Sequence, residues 1–350
     1  MNTVSALRGK QSVALRAPSL STLFETPFPP REHIIAPWLR AGESAMVWAP
    51  TGVGKTMFSL TLALGVAGGG SVFGWTFPRP QRVLIVDGEM NTADLVDRSK
   101  MLLQTVEGIN AEEAARNITV MARQYQDPDA EFPDLATPEG RDEVFERART
   151  GRYDLVILDN FSTLATVDDE NAAAAMNPVL AFLMRMKQAN IACLLVHHSG
   201  KSEASFRGSS KLATTFEVII GLHRIPGQAA RHGTAFNIVW DKYRGKRDDG
   251  VRGRRAALEE CSRGHLRWNH ELSTEEECDD LVEAVKSLRY ATQEELAKAL
   301  GCSTGKLSKL KARAIHTLRL VTEADWDECL KAARTLRDED VEGQDLAPDF

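Results

Sequence analysis

The chain has few cysteines, no long apolar run, no internal repeat and no surplus of positive charge. Its five cysteines, Cys193, Cys261, Cys278, Cys302 and Cys329, are scattered, odd in number and form no C-x-x-C pair. That excludes a disulfide framework and a cysteine-rich zinc site, and it implies a reducing compartment, the cytoplasm. The most apolar helical stretch, Met57 to Ala67, is too short to span a bilayer and ends in Gly68-Gly69-Gly70, so no membrane partner is expected. With 43 Lys+Arg against 49 Asp+Glu the net charge is −6, which argues against binding nucleic acid with the whole surface while leaving room for a local basic face. Residues 1–24 carry Arg8, Lys10 and Arg16 and no acid, the composition of an organellar transit peptide. They contain no long amphipathic stretch, and residues 1–28 are expected to be a flexible N-terminus.

The 350 residues suit about two domains, and 43% apolar with 26% charged residues is an ordinary globular composition. Short β-branched runs alternate with helical patterns over residues 29–271. The spacing predicts strands at Ala45–Ala49, Arg82–Asp87, Ile118–Ala122, Leu155–Asp159, Ala192–His197, Val218–Leu222 and Ala235–Trp240. It predicts helices at Lys55–Val66, Thr92–Val106, Gly140–Arg149 and Asn171–Gln188. Such alternation, with near-continuous apolar strands, is an α/β fold with a mainly parallel central sheet covered on both faces. The later strands, joined only by loops, are expected as antiparallel edge strands. Residues 272–336 read as a small helical domain, and 337–350 as a disordered acidic tail.

The segment Ala49-Pro50-Thr51-Gly52-Val53-Gly54-Lys55-Thr56 follows a strand and opens a helix. It fits the phosphate-loop pattern except that Ala49 stands at the first glycine. Successive backbone N–H groups at a helix N-terminus cradle a polyphosphate, Lys55 brings charge to the β- and γ-phosphates, and the Thr56 hydroxyl ligates Mg²⁺. Two further apolar strands end in acids. Tyr153-Asp-Leu-Val-Ile-Leu-Asp159 offers Asp159 as a second Mg²⁺ ligand, held through water or through Thr56. Arg82-Val-Leu-Ile-Val-Asp87-Gly88-Glu89 ends in two acids, Glu89 and Asp87, either of which could be the base for the attacking water. Asp87 has the alternative of capping the next turn. Leu194-Leu-Val-His197-His198 closes another strand, where adjacent side chains point to opposite faces, so one histidine can sense a γ-phosphate. Arg207 follows a polar loop, and Arg244, in Lys242-Tyr-Arg244, is a candidate for a finger reaching into a neighbouring subunit. An exposed basic loop is the plainer alternative for the latter.

Taken in order, APTGVGKT (49–56), VDGEM (86–90), LVILDNFSTL (155–164), DDENAAAAM (168–176), LLVHHSGK (194–201) and FRGSS (206–210) resemble the RecA-like ATPases of the hexameric replicative helicase group, closest to the RepA-type plasmid helicases. The resemblance covers about residues 29–270. It implies a hexameric ring that binds ATP between subunits and moves on single-stranded DNA. It assigns MgATP to Lys55, Thr56 and Asp159, the base to Glu89, the sensor to His198 and the trans finger to Arg207 or Arg244. Ala49 and the helical C-terminus depart from the family pattern.

That C-terminus has helix-turn-helix spacing: Leu296, Ala297 and Leu300 pack a first helix, Gly301 makes the turn, and Leu307 and Leu310 anchor a second. Lys306, Lys309, Lys311 and Arg313 are read as one basic face suited to phosphates or base edges in the major groove of duplex DNA, with a protein-contact module of winged-helix type as the alternative. Candidate single-strand contacts lie in the Ser199–Phe206 and Gly245–Arg255 loops. The expected function is a Mg²⁺-dependent ATPase on DNA, a ring helicase or translocase. The alternatives are an ATP-gated DNA-binding regulator or loader and, less consistent with an intact Lys55, Glu89 and Asp159, a repressor with a vestigial ATPase core.

Overall fold

The computed structural model describes residues 14–28, 30–166, 173–199, 214–225, 234–246, 248–260 and 265–345. The chain divides into two units, Met1–Glu32 and His33–Phe350. The first contains a short helix, α1 (Leu20–Glu25), opened by the Ser19 hydroxyl accepting from the Thr22 N–H.

In the second unit a small hairpin, β1 (His33–Ile35) with β2 (Leu39–Arg40), precedes β3 (Ser44–Ala49) and helix α2 (Lys55–Gly68). A second hairpin, β4 (Gly70–Val72) with β5 (Trp75–Phe77), leads to β6 (Val83–Asp87), α3 (Thr92–Leu102), α4 (Ala111–Asn117) and β7 (Ile118–Ala122). Then come α5 (Pro138–Thr150), β8 (Leu155–Asp159), the single turn α6 (Phe161–Leu164), α7 (Ala173–Gln188) and β9 (Ala192–His198). Strands β10 (Val218–Arg224), β11 (Ala235–Tyr243), β12 (Arg254–Glu260) and β13 (Leu266–Leu272) complete the α/β part.

One nine-stranded sheet carries the order β13-β12-β11-β10-β3-β9-β8-β6-β7. The strands from β7 to β10 run parallel. The three at the other edge are antiparallel. The two-residue period of β3 divides the core. Ala45, Val47 and Ala49 pack with α2 on one face, and Met46 and Trp48 pack with residues of α5 and α7 on the other. The α2 face carries an aromatic cluster in edge-on contacts, with Trp38 5.3 Å from Trp75 and Phe73 5.0 Å from Trp268.

Two expectations are corrected. Val218–Arg224 is not an antiparallel edge strand but lies parallel beside β3, next to the phosphate loop. The antiparallel edge is extended by β12 and β13, whose residues Arg, Ala, Leu and Glu have helical propensity. Their alternation decides instead: Ala256 and Leu258 are buried while Arg255 and Glu259 face outward.

The C-terminal residues form helices α8 (Thr274–Lys286), α9 (Gln293–Ala299), α10 (Thr304–Ala312) and α11 (Glu323–Asp345). Ser273, Thr292 and Ser303 each cap a helix by accepting from an N–H three residues on. Cys278, Leu281, Val285, Leu296, Leu307, Leu310 and the fully buried Trp326 make a core of their own. No strand occurs among the described residues 273–345, so the winged variety is not seen. The last helix runs on to Asp345, through most of the stretch expected as a disordered tail. Arg252 pairs with Glu276 at 3.2 Å and Asp280 at 2.6 Å, fastening α8 to the start of β12. Within the Gly245–Arg255 loop, Arg252 and Gly253 thus hold these helices; the Ser199–Phe206 loop lies outside the described residues apart from Ser199.

Candidate active site

The phosphate loop leaves the C-terminal end of β3 and enters α2. Gly52 and Gly54 have φ of 78° and 113°, a region closed to most side chains. Gly54 caps α2 without any side-chain bond, so the first N–H groups of the helix are left to a ligand. Lys55 folds back on its loop, donating to the carbonyls of Ala49 at 2.9 Å and Pro50 at 3.2 Å. Its Nζ also lies 3.2 Å from Nδ1 of His198. Burial pushes the Lys55 amine below the ordinary lysine range, against the pull of Asp159 and Glu89.

The two acid-tipped strands are neighbours, with Asp87 directly opposite Asp159. Burial, together with the charges of Asp87 and Glu89, pushes the Asp159 carboxyl up to about 7, opposed by a hydrogen bond from Ser59 and by Lys55. The hydroxyl that meets Asp159 is that of Ser59, 3.3 Å away, rather than the expected Thr56. Asp87 is also raised by burial, against two backbone bonds it accepts from Glu89 at 3.0 Å and Met90 at 2.6 Å. It thus ties the turn that carries Glu89, and Glu89 reaches the cleft, where it accepts from the Asn160 side-chain amide. Asn160 is buried, follows a cis peptide bond from Asp159, and its Oδ1 has no hydrogen-bond partner. The two histidines split as strand alternation requires. His198 faces Lys55, and His197 is fully buried with its ring 5.2 Å from Phe161.

Lys55, Asp87, Glu89, Asp159, Asn160 and His198 line one cleft of about 640 Å³. Beyond the loop it extends between Arg98 and Met101 of α3 and Leu258 and Leu266 of the antiparallel edge. Four residues in this arrangement were not legible as site residues. Ser59 is one helical turn after Lys55, a spacing that could have marked it. Asn160 adjoins Asp159. Arg224 and Thr234 come from the β10–β11 hairpin, and no local pattern links them to the loop.

The model of the AAA domain family matches residues 11–204, more than half of the chain. The chain belongs to the AAA domain family. The AAA domain match contains Lys55, Thr56, Glu89, Asp159 and His198, whereas Arg207, Arg244 and the C-terminal helices lie beyond it. Among solved structures, the crystal structure of the RadB recombinase is similar at 18% identity with a TM-score of 0.42, over 65% of this chain and 90% of that one. No curated protein matches the sequence.

The remaining expected site residues lie elsewhere or outside the description. Arg207 is outside the described residues. Arg244 follows β11, whose Tyr243 pairs with Val218, itself opposite Ala45 at the start of β3. It therefore sits at the end of the sheet away from its own phosphate loop, bonded to the Thr214 carbonyl and 3.7 Å from Glu217. The four C-terminal cations do not form one face. Lys306 bonds Glu277 at 2.6 Å, Arg313 bonds Glu275 at 2.5 Å, and Lys309 is exposed. Lys311 turns the other way, over the Trp326 ring at 5.1 Å and toward Glu323 at 3.7 Å. No described helix is long and apolar enough to cross a membrane.

Proposed function

We propose that the chain is a Mg²⁺-dependent ATPase acting on DNA, a RepA-type ring-forming helicase or translocase. The observation that carries the ATPase reading is an uncapped helix N-terminus with Lys55 at its first turn, facing Asp159 and Glu89 across one cleft. The N–H groups of the loop and Lys55 bind the phosphates; the extension toward Met101 and Leu266 has room for the nucleoside. The donor set suits a hard cation, because Thr56 and Asp159 offer oxygen only. Bound there, Mg²⁺ would neutralise phosphate charge. Glu89, held by Asn160, orients the attacking water and accepts its proton. His198, beside Lys55, is placed to report phosphate occupancy.

Arg244, remote from its own loop, is the finger for a neighbour's nucleotide in a ring, with Arg207 the other candidate. DNA engagement rests on the ordered motif set of residues 49–210. The two-helix unit of 293–299 and 304–312, joined by a four-residue turn with Gly301 at φ 61°, favours a second reading. In it ATP gates assembly and these helices select duplex DNA. The deciding experiment measures Mg²⁺-dependent ATP hydrolysis with and without single-stranded DNA, together with unwinding of a forked duplex. Hydrolysis that survives Lys55→Ala overturns the ATPase reading. Stimulated hydrolysis without unwinding, by an oligomer that shields a duplex site, favours the regulator.

A further inference from the structure

A phosphate loop binds an anion only if its peptide planes turn their N–H groups inward. Each plane is rigid, so the carbonyl of one residue and the N–H of the next point in opposite directions. Whatever holds a carbonyl outward therefore aims the following N–H at the ligand. In this loop the outward carbonyls have partners. Ala49 and Pro50 carbonyls accept from Lys55, and also from the Ser199 and Val53 N–H groups at 3.1 and 3.4 Å. The Thr51 and Val53 carbonyls are held from another part of the chain. Arg224, the last residue of β10, donates to the Thr51 carbonyl at 2.6 Å. Thr234, just before β11, donates its hydroxyl to the Val53 carbonyl.

We infer that Arg224 and Thr234 are positioning residues of the phosphate loop, aiming the N–H groups of Gly52 and Gly54 at the bound phosphates. The inference rests on the nucleotide reading and names a feature of this chain that its loop motif does not contain. A third observation supports it. A Cβ built on Gly54 would lie 2.3 Å from the Thr234 hydroxyl oxygen, so the loop is seated directly against this residue. The seat is itself anchored, because the Thr234 carbonyl accepts from the Leu258 N–H at 2.8 Å. The adjoining ends of β10 and β11 thus reach the phosphate loop through two side chains.

The test uses the full-length chain, titrated with Mg²⁺ and the non-hydrolysable analogue AMP-PNP, and separately with inorganic pyrophosphate. Thr234→Val removes the hydroxyl at equal size, and Arg224→Gln removes the charge and shortens the reach. Each should weaken binding of both probes about tenfold, the effect of one lost hydrogen bond in a desolvated site. The nucleotide-free melting temperature should barely change. Thr234→Ser should restore most of the affinity. If Thr234→Val does not unfold cooperatively, Arg224→Gln, altered at an exposed residue, decides alone. Wild-type affinities in both variants overturn the inference while leaving the nucleotide reading standing. Weakened AMP-PNP with unchanged pyrophosphate also overturns it, since the effect would then lie at the nucleoside end. Failure of the wild-type chain to bind either probe overturns both.

Discussion

Asp87 ends β6 and Glu89 lies two residues on, in the turn that follows, and their surroundings separate them. Asp87 is buried, raised by that burial, and spends its carboxylate on the N–H groups of Glu89 and Met90. Glu89 accepts from Asn160 and faces the cleft. A general base needs a free lone pair within reach of the reacting water; both acids line the cleft, but Asp87 has its Oδ1 engaged by two N–H groups. Glu89→Gln should keep nucleotide binding and lose most hydrolysis, by a factor of roughly 10² to 10⁴. Isothermal binding and single-turnover hydrolysis on the same preparation check it. Active Glu89→Gln beside inactive Asp87→Asn would reverse the roles.

Elements follow from sequence where the signal is local. The phosphate loop needs a strand, glycines and a helix start within a dozen residues, and Ser44–Gly68 supplies them in that order. Strand β12 was not legible, because its Ala and Leu suit a helix and its place depends on pairing with β11 and β13. Arg224 and Thr234 stayed hidden for the same reason, since only long-range pairing brings β10 and β11 to the loop. The four basic residues near α10 show the opposite error. Helical spacing separates Lys311 from the rest, and the first turn of α8 supplies acids that no local pattern pairs with Lys306 and Arg313. Duplex contact through Lys306 and Arg313 must therefore compete with two internal ion pairs. Glu275→Gln with Glu277→Gln should strengthen duplex binding and steepen its salt dependence by about 0.9 log units per released contact. Fluorescence anisotropy across a salt series reads both, and no change would remove α10 from the DNA surface. Packing of α11 has a pH signature of its own. Hydrogen bonds from Arg337, with those from the Ala291 and Thr292 N–H groups, hold the Glu295 carboxyl down at about 2. A depressed carboxyl favours the folded state above its ordinary value and loses that contribution as pH falls. Melting of the wild type should therefore decline between about pH 4.5 and 2 more steeply than that of Glu295→Gln.

At the scale of the whole molecule the sheet has two poles. The phosphate loop, Asp159, Glu89 and His198 gather at the C-terminal ends of the parallel strands, where open α/β sheets bind ligands. Arg244 is at the other pole, beside Glu217 and Thr214. The strand β3 lies between them, and its four residue steps from Ala45 to Ala49 alone span roughly 13 Å. An arginine side chain held at one end cannot serve a phosphate at the other end of its own chain. If Arg244 acts on a γ-phosphate, a second copy must bring it there. Arg244→Ala should then lower kcat by a factor of roughly 10³ or more while leaving nucleotide affinity within a few-fold. Lys55→Ala chains keep an intact finger, and Arg244→Ala chains keep an intact loop. Mixed after subunit exchange, the two inactive proteins should regain hydrolysis at each interface where the good finger meets the good loop. Recovery should follow the fraction of such mixed interfaces as the ratio is varied. If exchange is demonstrated by energy transfer between labelled chains and no ratio restores activity, Arg244 is not a finger. The basic loop then belongs to the surface, and Arg207 is left to supply the charge.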